Sequence, residues 1–411
     1  MSKKVIIIGA GAAGLMAAGV AGKLGAEVVL IEKNPQPGKK LNITGKGRCN
    51  VTNNCDADEL MKNIPKNSRF MYSAFSAFSP QDTMAFFENL GVMLKTERGY
   101  RVFPESDNAH DITDALVRFA KMNGAKIIHD TVVQIKTENG NVCGVKTVSG
   151  EFSCDSVIVA TGGVSYPLTG STGDGYAFAR ECGHTVTEPQ GSLVPLVGET
   201  DLCKSAQGLT LKNITLTAKN AQGKVLFSEL GEMLFTHFGI SGPLALSASA
   251  HMRDFENERY HVCLDLKPGL LHEKLEERIL RDVEEKKNKD IQNLLRGLLP
   301  ARMINIVLKK AGIDGETKAN AMTREMRRCL RDTLKELRID IDGKRPVSEA
   351  IITSGGVNVK EINPKTMESK IVHGLYFAGE VLDVDAYTGG FNLQIAWSSA
   401  YSAGMYAAQE I

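Results

Sequence analysis

The sequence predicts an α/β fold whose parallel sheet is assembled from both ends of the chain, with one long insert between them. Three observations carry this. An apolar strand at the N-terminus runs into a glycine-rich turn and a small-residue helix. A second apolar strand follows and ends in an acid eighteen residues after the last glycine of that turn. Two further apolar strands, near residues 156 and 375, each run into glycine.

The first element hides behind its composition. Val5–Gly22 is eighteen residues without a charge, preceded by Lys3 and Lys4, which is long enough for a membrane span or a signal segment. Five of the eighteen are glycine, however, and two periods are visible. Val5-Ile6-Ile7-Ile8 reads as a buried strand and Ala12 to Leu24 as a helix, so no membrane segment is expected. The junction Gly9-Ala10-Gly11-Ala12-Ala13-Gly14 is a G-x-G-x-x-G turn. In the strand–turn–helix context, Gly9 permits the tight turn, Gly11 lets a pyrophosphate approach the backbone, and Gly14 lets helix and strand pack closely, while Ala12 and Ala13 offer the first free N–H groups of the helix. Glu32, closing the strand Val28-Val29-Leu30-Ile31, suits the two hydroxyls of an adenosine ribose and would repel a 2′-phosphate. FAD and NAD both satisfy these residues; NADP does not.

Later segments favour FAD. Ser156-Val157-Ile158-Val159-Ala160-Thr161-Gly162-Gly163 is a buried strand ending in Thr-Gly-Gly, and Gly374 to Glu380 is another ending in glycine plus an acid. Thr388-Gly389-Gly390-Phe391-Asn392-Leu393-Gln394 then opens an Ala/Ser-rich helix. In flavoproteins of the two-dinucleotide-binding type, such an acid hydrogen-bonds ribitol or pyrophosphate, and such a helix N-terminus stabilises negative charge on the reduced flavin. Glu380 stands where Asp is commoner.

Between these segments the pattern changes twice. Pro189 to Pro195 is a crossover out of the first domain. Residues 192–267 alternate, as in Leu209 to Ala218, and predict a β-rich, barrel-like insert. Residues 268–345 turn helical, for example over Leu271 to Lys287 and Asn320 to Leu337. The expected organisation is a discontinuous Rossmann-like FAD-binding domain, 1–191 plus 346–411, carrying a β-barrel-like subdomain and a helical subdomain. The helical part holds 19 basic and 14 acidic residues in a chain whose net charge is only +1. Arg324, Arg327, Arg328 and Arg331 can share one helix face there; a phosphate-tracking stripe and a solvated, charge-paired face are both open.

Composition excludes the extreme classes. With 43% hydrophobic and 24% charged residues the chain is neither disordered nor a polytopic membrane protein, and its near-zero net charge marks no global nucleic-acid binder. Eight cysteines without a C-x-x-C pair argue against a zinc site or a disulfide scaffold, so no metal is expected and a reducing, cytoplasmic compartment is.

Three stretches give the chain a closer likeness: Thr44-Gly45-Lys46-Gly47-Arg48-Cys49-Asn50-Val51-Thr52-Asn53, Gly231 to Pro243, and Thr366-Met367-Glu368-Ser369-Lys370 leading into Gly374 to Gln394. On these the chain resembles the BaiN/RdsA-type NAD(P)/FAD-dependent oxidoreductases, two-dinucleotide-binding-domain flavoproteins; Gly173-Asp174-Gly175 is more distantly similar to fumarate reductase flavoproteins. The resemblance implies non-covalent FAD, NAD(P)H as transient reductant, and reduction of an activated carbon–carbon double bond. One branch of the family suggests bile-acid-type enones as substrates, another uridine of 23S ribosomal RNA, reduced to dihydrouridine. It also completes the expected cofactor set, which adds Lys33, Lys40, Gly47, Arg48, Asn50, Val132, Val133, Ala160, Thr161, Gly162, Asp174, Gly379, Glu380, Asn392 and Leu393 to Gly9, Gly11, Ala12, Ala13, Gly14 and Glu32.

Because the cofactor carries the redox chemistry, the protein needs at most one acid. Cys49 is the pointed candidate, a thiol in a Gly-rich loop beside Lys46 and Arg48, which would lower its pKa or stabilise reduced flavin; the alternative is a buried filler. Cys49 and Cys55 have five residues between them, one more than a redox C-x4-C pair. His237 is the candidate acid–base residue of the insert, and Tyr387 and Thr388 are placed on the substrate side. A second glycine fingerprint for NAD(P)H is missing, since Gly170 to Gly175 has no buried strand before it. Three readings therefore stand: an RNA-uridine reductase, a small-molecule enone reductase, and a flavin-binding redox or RNA module without turnover.

Overall fold

Five short strands form one parallel sheet: β1 (Lys4–Ile8), β2 (Glu27–Glu32), β3 (Lys126–His129), β4 (Ser156–Val159) and β5 (Leu375–Phe377), in the order β5-β4-β1-β2-β3. β1 and β4 are buried along nearly their whole length, as strands covered on both faces must be. Four helices accompany the sheet: α1 (Ala12–Lys23), α2 (Ala109–Met122), α3 (Asp174–Glu181) and α4 (Phe391–Ala407). The computed structural model describes residues 2–409. Within it, the described residues of Met1–Ser192 and Val347–Ile411 make one compact unit, and Leu193–Pro346 makes another.

The glycines of the first turn are packing devices. Gly9 has φ +98°, and a Cβ on it would lie 2.8 Å from the carbonyl oxygen of Ala160 at the end of β4. A Cβ on Gly14 would lie 1.8 Å from the Gly9 carbonyl oxygen, so α1 rests directly on the turn that precedes it. Every residue from Ala13 to Ala21 is buried. The partners are protein: a Cβ on Gly19 would enter the Phe119 ring of α2, and one on Gly404 of α4 would lie 2.7 Å from the Ala17 carbonyl oxygen. That explains the uncharged N-terminal stretch without lipid. Among the described residues no helix is long and apolar enough to cross a membrane.

Register places the function. Ile8 pairs with Ile31 on one side and Val159 on the other, and Val159 with Phe377, so four strands end at the same edge. The chain runs outward from β1 to β2 and β3, then returns to β4 and β5 on the opposite side. The crevice between β1 and β4 is therefore a topological switch point, where ligands of open parallel sheets bind.

In the second unit, Thr210–Asn220 and Val225–Phe235 form a long antiparallel pair flanked by Tyr260–Asp265. Leu337–Ile341 pairs with Tyr260–Asp265, and Gly343–Lys344 pairs with Leu196–Val197. Only Asp342 separates those two segments, and its N–H donates to the Val197 carbonyl at 2.8 Å. One continuous strand thus bonds the two outermost members of the sheet and closes it into a barrel-like ring. The closing strand comes from the segment read as helical, so the β-rich and helical stretches share one unit, with His272–Glu285, Ala301–Ala311 and Arg324–Lys335 among its helices.

Gly14→Ala is expected to lower the unfolding midpoint through an overpacking cost on the order of 1–3 kcal/mol. Gly150→Ala, with nothing within 4 Å of its added Cβ, should leave the midpoint unchanged. Equal thermal melts for the two variants would remove the Gly9–Gly14 contact as a constraint.

Candidate functional site

At the shared edge of β1, β2, β4 and β5 lies a cavity of about 740 Å³. Its wall brings together Gly9, Gly11, Ala12, Ala13, Glu32, Lys33, Lys40, Arg48, Asn50, Val132, Ala160, Thr161, Gly162, Asp174, Gly379, Glu380, Asn392 and Leu393, with Tyr387 and Thr388 beside them. Four expected residues lie off the wall. Gly14 is spent on helix packing. Gly47, at φ +83°, shapes its loop. Val133 points outward because neighbouring strand residues face opposite sides, and Val132 takes the inward position.

The fourth is Cys49, and here the structure corrects the sequence reading. Its side chain is fully buried, off the cavity wall, and burial pushes the thiol up to about 12, against a small opposing hydrogen bond with Thr44. It is the filler of the loop. Nor can Arg48 activate it: the guanidinium is bonded to Glu97 and Asp107 and lies over the Phe103 ring at 4.1 Å. Cys55 is also a free thiol.

The carboxylates of the wall are held in place by the protein's own donors. Glu32, 8% exposed, accepts the Ala10 N–H at 2.7 Å through one oxygen and the Asn34 N–H and side-chain amide through the other. That fixes the acid under the glycine turn. Lys33 ties the end of β2 to Asp174, the first residue of α3, and to Thr172. Lys40 donates to Glu380 at 2.6 Å and to Ser165 at 2.8 Å, and the Ser165 hydroxyl and Thr353 N–H both donate to Glu380 at 3.0 Å. Burial pushes the Glu380 carboxyl up, but the Lys40 ammonium and these hydrogen bonds outweigh it and hold the group below the usual carboxylate range. Asn392 spends its amide on Ala386 and Tyr387, so it shapes the preceding loop.

FAD fits this site on two observations. Gly11 has no atom within 4 Å of the position a Cβ would take, so the turn offers open space where a side chain would block a pyrophosphate. The Asn50 Oδ1 and Thr161 Oγ1 atoms are buried on the wall without a hydrogen-bond partner, although buried polar groups are normally paired. Both the N-terminus of α1 and that of α4 reach the wall, through Ala12 and Ala13 and through Asn392 and Leu393.

Several positioning residues were not legible beforehand. Ser165 and Thr353 meet Glu380 from 215 and 27 residues away, within no motif. Gln394 accepts from Thr52 and Thr83 and donates to Phe78 and Ser398, and the Trp397 indole donates to the Val51 carbonyl, so α4 is stitched to the chain after Cys49. The one advance signal was polarity inside an otherwise apolar helix. His237 is exposed in the second unit. Arg327 and Arg331 both face Glu276, and Arg331 and Arg328 pair with Asp332, so three of the four arginines are charge-paired and Arg324 is exposed beside them.

The profile of the HI0933-like protein Rossmann domain matches residues 3–406. The chain is 33% identical to the ribosomal RNA dihydrouridine synthase of Haemophilus influenzae over 97% of each chain. It is 30% identical to the 3-dehydro-bile acid delta(4,6)-reductase of Clostridium scindens over 99% of each. Among solved structures, the 3-ketosteroid-delta4-(5alpha)-dehydrogenase of Rhodococcus jostii RHA1 shares the fold, with a TM-score of 0.51 at 14% identity over 99% of this chain and 97% of that one.

Gly11→Val should yield a folded, colourless protein, because its side chain enters open cavity space rather than the core; retained yellow colour would overturn the cofactor placement. Lys40→Met should destabilise by on the order of 3 kcal/mol at neutral pH, since it leaves the buried Glu380 without its counter-charge. A depressed carboxyl stabilises fully above its ordinary range and loses that contribution as pH falls through its folded value. Without Lys40 the group rises, so that acid-side loss shrinks and the deficit caused by Lys40→Met should narrow as pH falls. Parallel curves of melting temperature against pH for the two proteins would refute the pairing.

Proposed function

Since the chain belongs to the HI0933-like family of Rossmann-domain proteins and is an FAD-dependent oxidoreductase, we propose that it reduces the C5=C6 bond of uridine in ribosomal RNA. The observation that carries the reading is full-length similarity to dihydrouridine synthases from two organisms, at 33% and 32% identity. The bile-acid relative supports the same reaction class, because both enzymes, by their names, saturate a double bond conjugated to a carbonyl. Such a bond is electron-poor at its far carbon and accepts hydride there.

When bound, FAD would supply that hydride, with NAD(P)H as the reductant that recharges it. The residues of this chain do the rest. Glu32 and the N-terminus of α1 receive the adenosine and pyrophosphate end. Lys40, Ser165 and Thr353 keep Glu380 ionised and fixed beside Gly379, where a carboxylate can accept from ribitol hydroxyls. Asn50 and Thr161 offer unpaired polar atoms to the ligand. The partial positive charge of the α4 N-terminus stabilises developing negative charge next to it. Tyr387 and Thr388 bring hydroxyls to the wall that can deliver the proton the neighbouring carbon needs. With Cys49 sealed in the loop, the thiol has no part in that transfer.

The 30% identical bile-acid enzyme also favours a second reading, a small-molecule enone reductase, for which the same cofactor residues would serve. Nucleoside mass spectrometry of 23S rRNA from cells with and without the gene separates the two. Loss of dihydrouridine, restored by the purified protein with NAD(P)H, is expected; an unchanged signal would transfer the assignment to the small enone. Cys49→Ala should keep its FAD and turn over within about twofold of the parent, as a change off the reacting atoms does. Loss of turnover with flavin retained would return the thiol to the mechanism.

A further inference from the structure

The hairpin Leu94–Glu97 and Arg101–Pro104 ends in the tip Arg98-Gly99-Tyr100. Tyr100 adopts φ +58°, in the left-handed region that a bulky residue avoids, next to Gly99 at φ +75°. The residue is 64% exposed, so little packing in the unit offsets the strain. The three-residue loop between the paired Glu97 and Arg101 calls for left-handed backbone, and filling it with an exposed tyrosine instead of a glycine points to a role for that side chain outside the fold.

The tip is held beside the cavity. The buried Asn53 amide donates to the Gly99 carbonyl at 3.1 Å and to the Gly389 carbonyl at 3.0 Å, and the Asn54 N–H donates to the Tyr100 carbonyl at 2.7 Å. Gly389 lies in the Tyr387–Gly390 stretch of the wall, so one side chain clamps the hairpin to the substrate side of the site. Arg101, on the wall, donates from Nε to the Arg98 carbonyl. Charges around the tip divide sharply. Arg48 and Lys95 neutralise Glu97 and Asp107, whereas Arg98, Arg101 and Lys46 have no carboxylate partner among the described residues. Lys46, also on the wall, has φ +61° in the neighbouring loop.

We propose that this rim, Lys46, Arg98, Tyr100 and Arg101, is the docking surface for the single-stranded RNA segment that carries the substrate base. The three cations contact backbone phosphates, and Tyr100 offers its ring to a base next to the one entering the cavity, the combination by which single strands are held without sequence readout. The rim replaces the arginine face of Arg324–Lys335 in that role, because Arg327 and Arg331 at the centre of that face are already held by Glu276 and Asp332. This role rests on the RNA-uridine reading of the site and gives it the part of the protein that serves it.

The test is binding of FAD-loaded protein to a fluorescein-labelled, uridine-rich single strand of about 20 nucleotides across a salt series. Asn tolerates left-handed backbone, so Lys46→Asn and Tyr100→Asn spare the fold, with Arg98→Gln and Arg101→Gln completing the set. Removing the three cations should weaken binding at least tenfold and flatten the slope of log affinity against log salt by about 2. Arg324→Gln with Arg328→Gln should bind like the parent. The pair Arg98→Gln and Tyr100→Asn should leave anaerobic bleaching of the flavin by NAD(P)H unaltered. Parental affinity and slope in the triple variant would overturn the rim, as would equal loss from the Arg324 and Arg328 changes. Slowed bleaching would reassign it to the phosphates of the nucleotide reductant, and competition by polyglutamate as strong as by RNA would reduce it to a generic polyanion patch. All four leave the RNA reading standing. A parent protein with no salt-dependent RNA binding would sink both.

Discussion

The contact between Gly9 and Gly14 is the constraint on which the rest of the cofactor domain depends. With 1.8 Å between the Gly9 carbonyl oxygen and the site of a would-be Cβ on Gly14, no other residue lets α1 leave the sheet at this angle. That angle sends the first N–H groups of α1 into the cavity and brings Gly9 under Ala160, which sets the spacing of β1 against β4. It also packs α1 against α2 and α4 at distances only glycine permits. The apolar stretch is therefore uncharged because it is enclosed by its own chain.

A second layer of organisation is electrostatic and long-range. Lys33 joins the end of β2 to the start of α3, and Lys40 joins the loop after β2 to Glu380 after β5. Each cation of the wall that meets an acid is thereby neutralised, and the site's fixed positive charge is left to the helix N-termini, to Lys39 and to the rim. The division makes chemical sense. Paired charges hold the shape of a cavity, and unpaired ones meet the phosphates of what enters it.

Legibility followed locality. The turn at Gly9, the acid Glu32 and the strands at 156 and 375 could be read because their physics lies within a few residues: a buried run, a glycine requiring positive φ, a carboxylate at the right interval. Their meeting at one cavity followed from the rules of parallel sheets. Ser165 and Thr353 could not be read, since they meet Glu380 from distant parts of the chain and belong to no local pattern. Cys49 misled because a thiol in a glycine-rich loop looks the same on paper whether it faces the ligand or the core; its burial decided the matter. The arginines of 324–331 left two readings open because Glu276, the partner of Arg327 and Arg331, lies on another helix. Barrel closure by Leu337–Lys344 was hidden inside a helical pattern, because a strand that bonds on both edges needs only a few alternating residues.

The order of the strands has a consequence for synthesis. β4 pairs on one side with β1, made early, and on the other with β5, roughly 215 residues later in the chain. At about 5–20 residues per second the ribosome takes on the order of 10–40 s to cover that distance. Through that interval Ser156–Val159, an apolar strand, has one edge without its native neighbour, the condition in which strands recruit foreign ones. The intervening Leu193–Pro346 unit is finished first, so the nascent chain carries a completed barrel beside an unfinished sheet. Its exposure to misassembly is set by the pace of translation, a kinetic hazard absent from the finished protein.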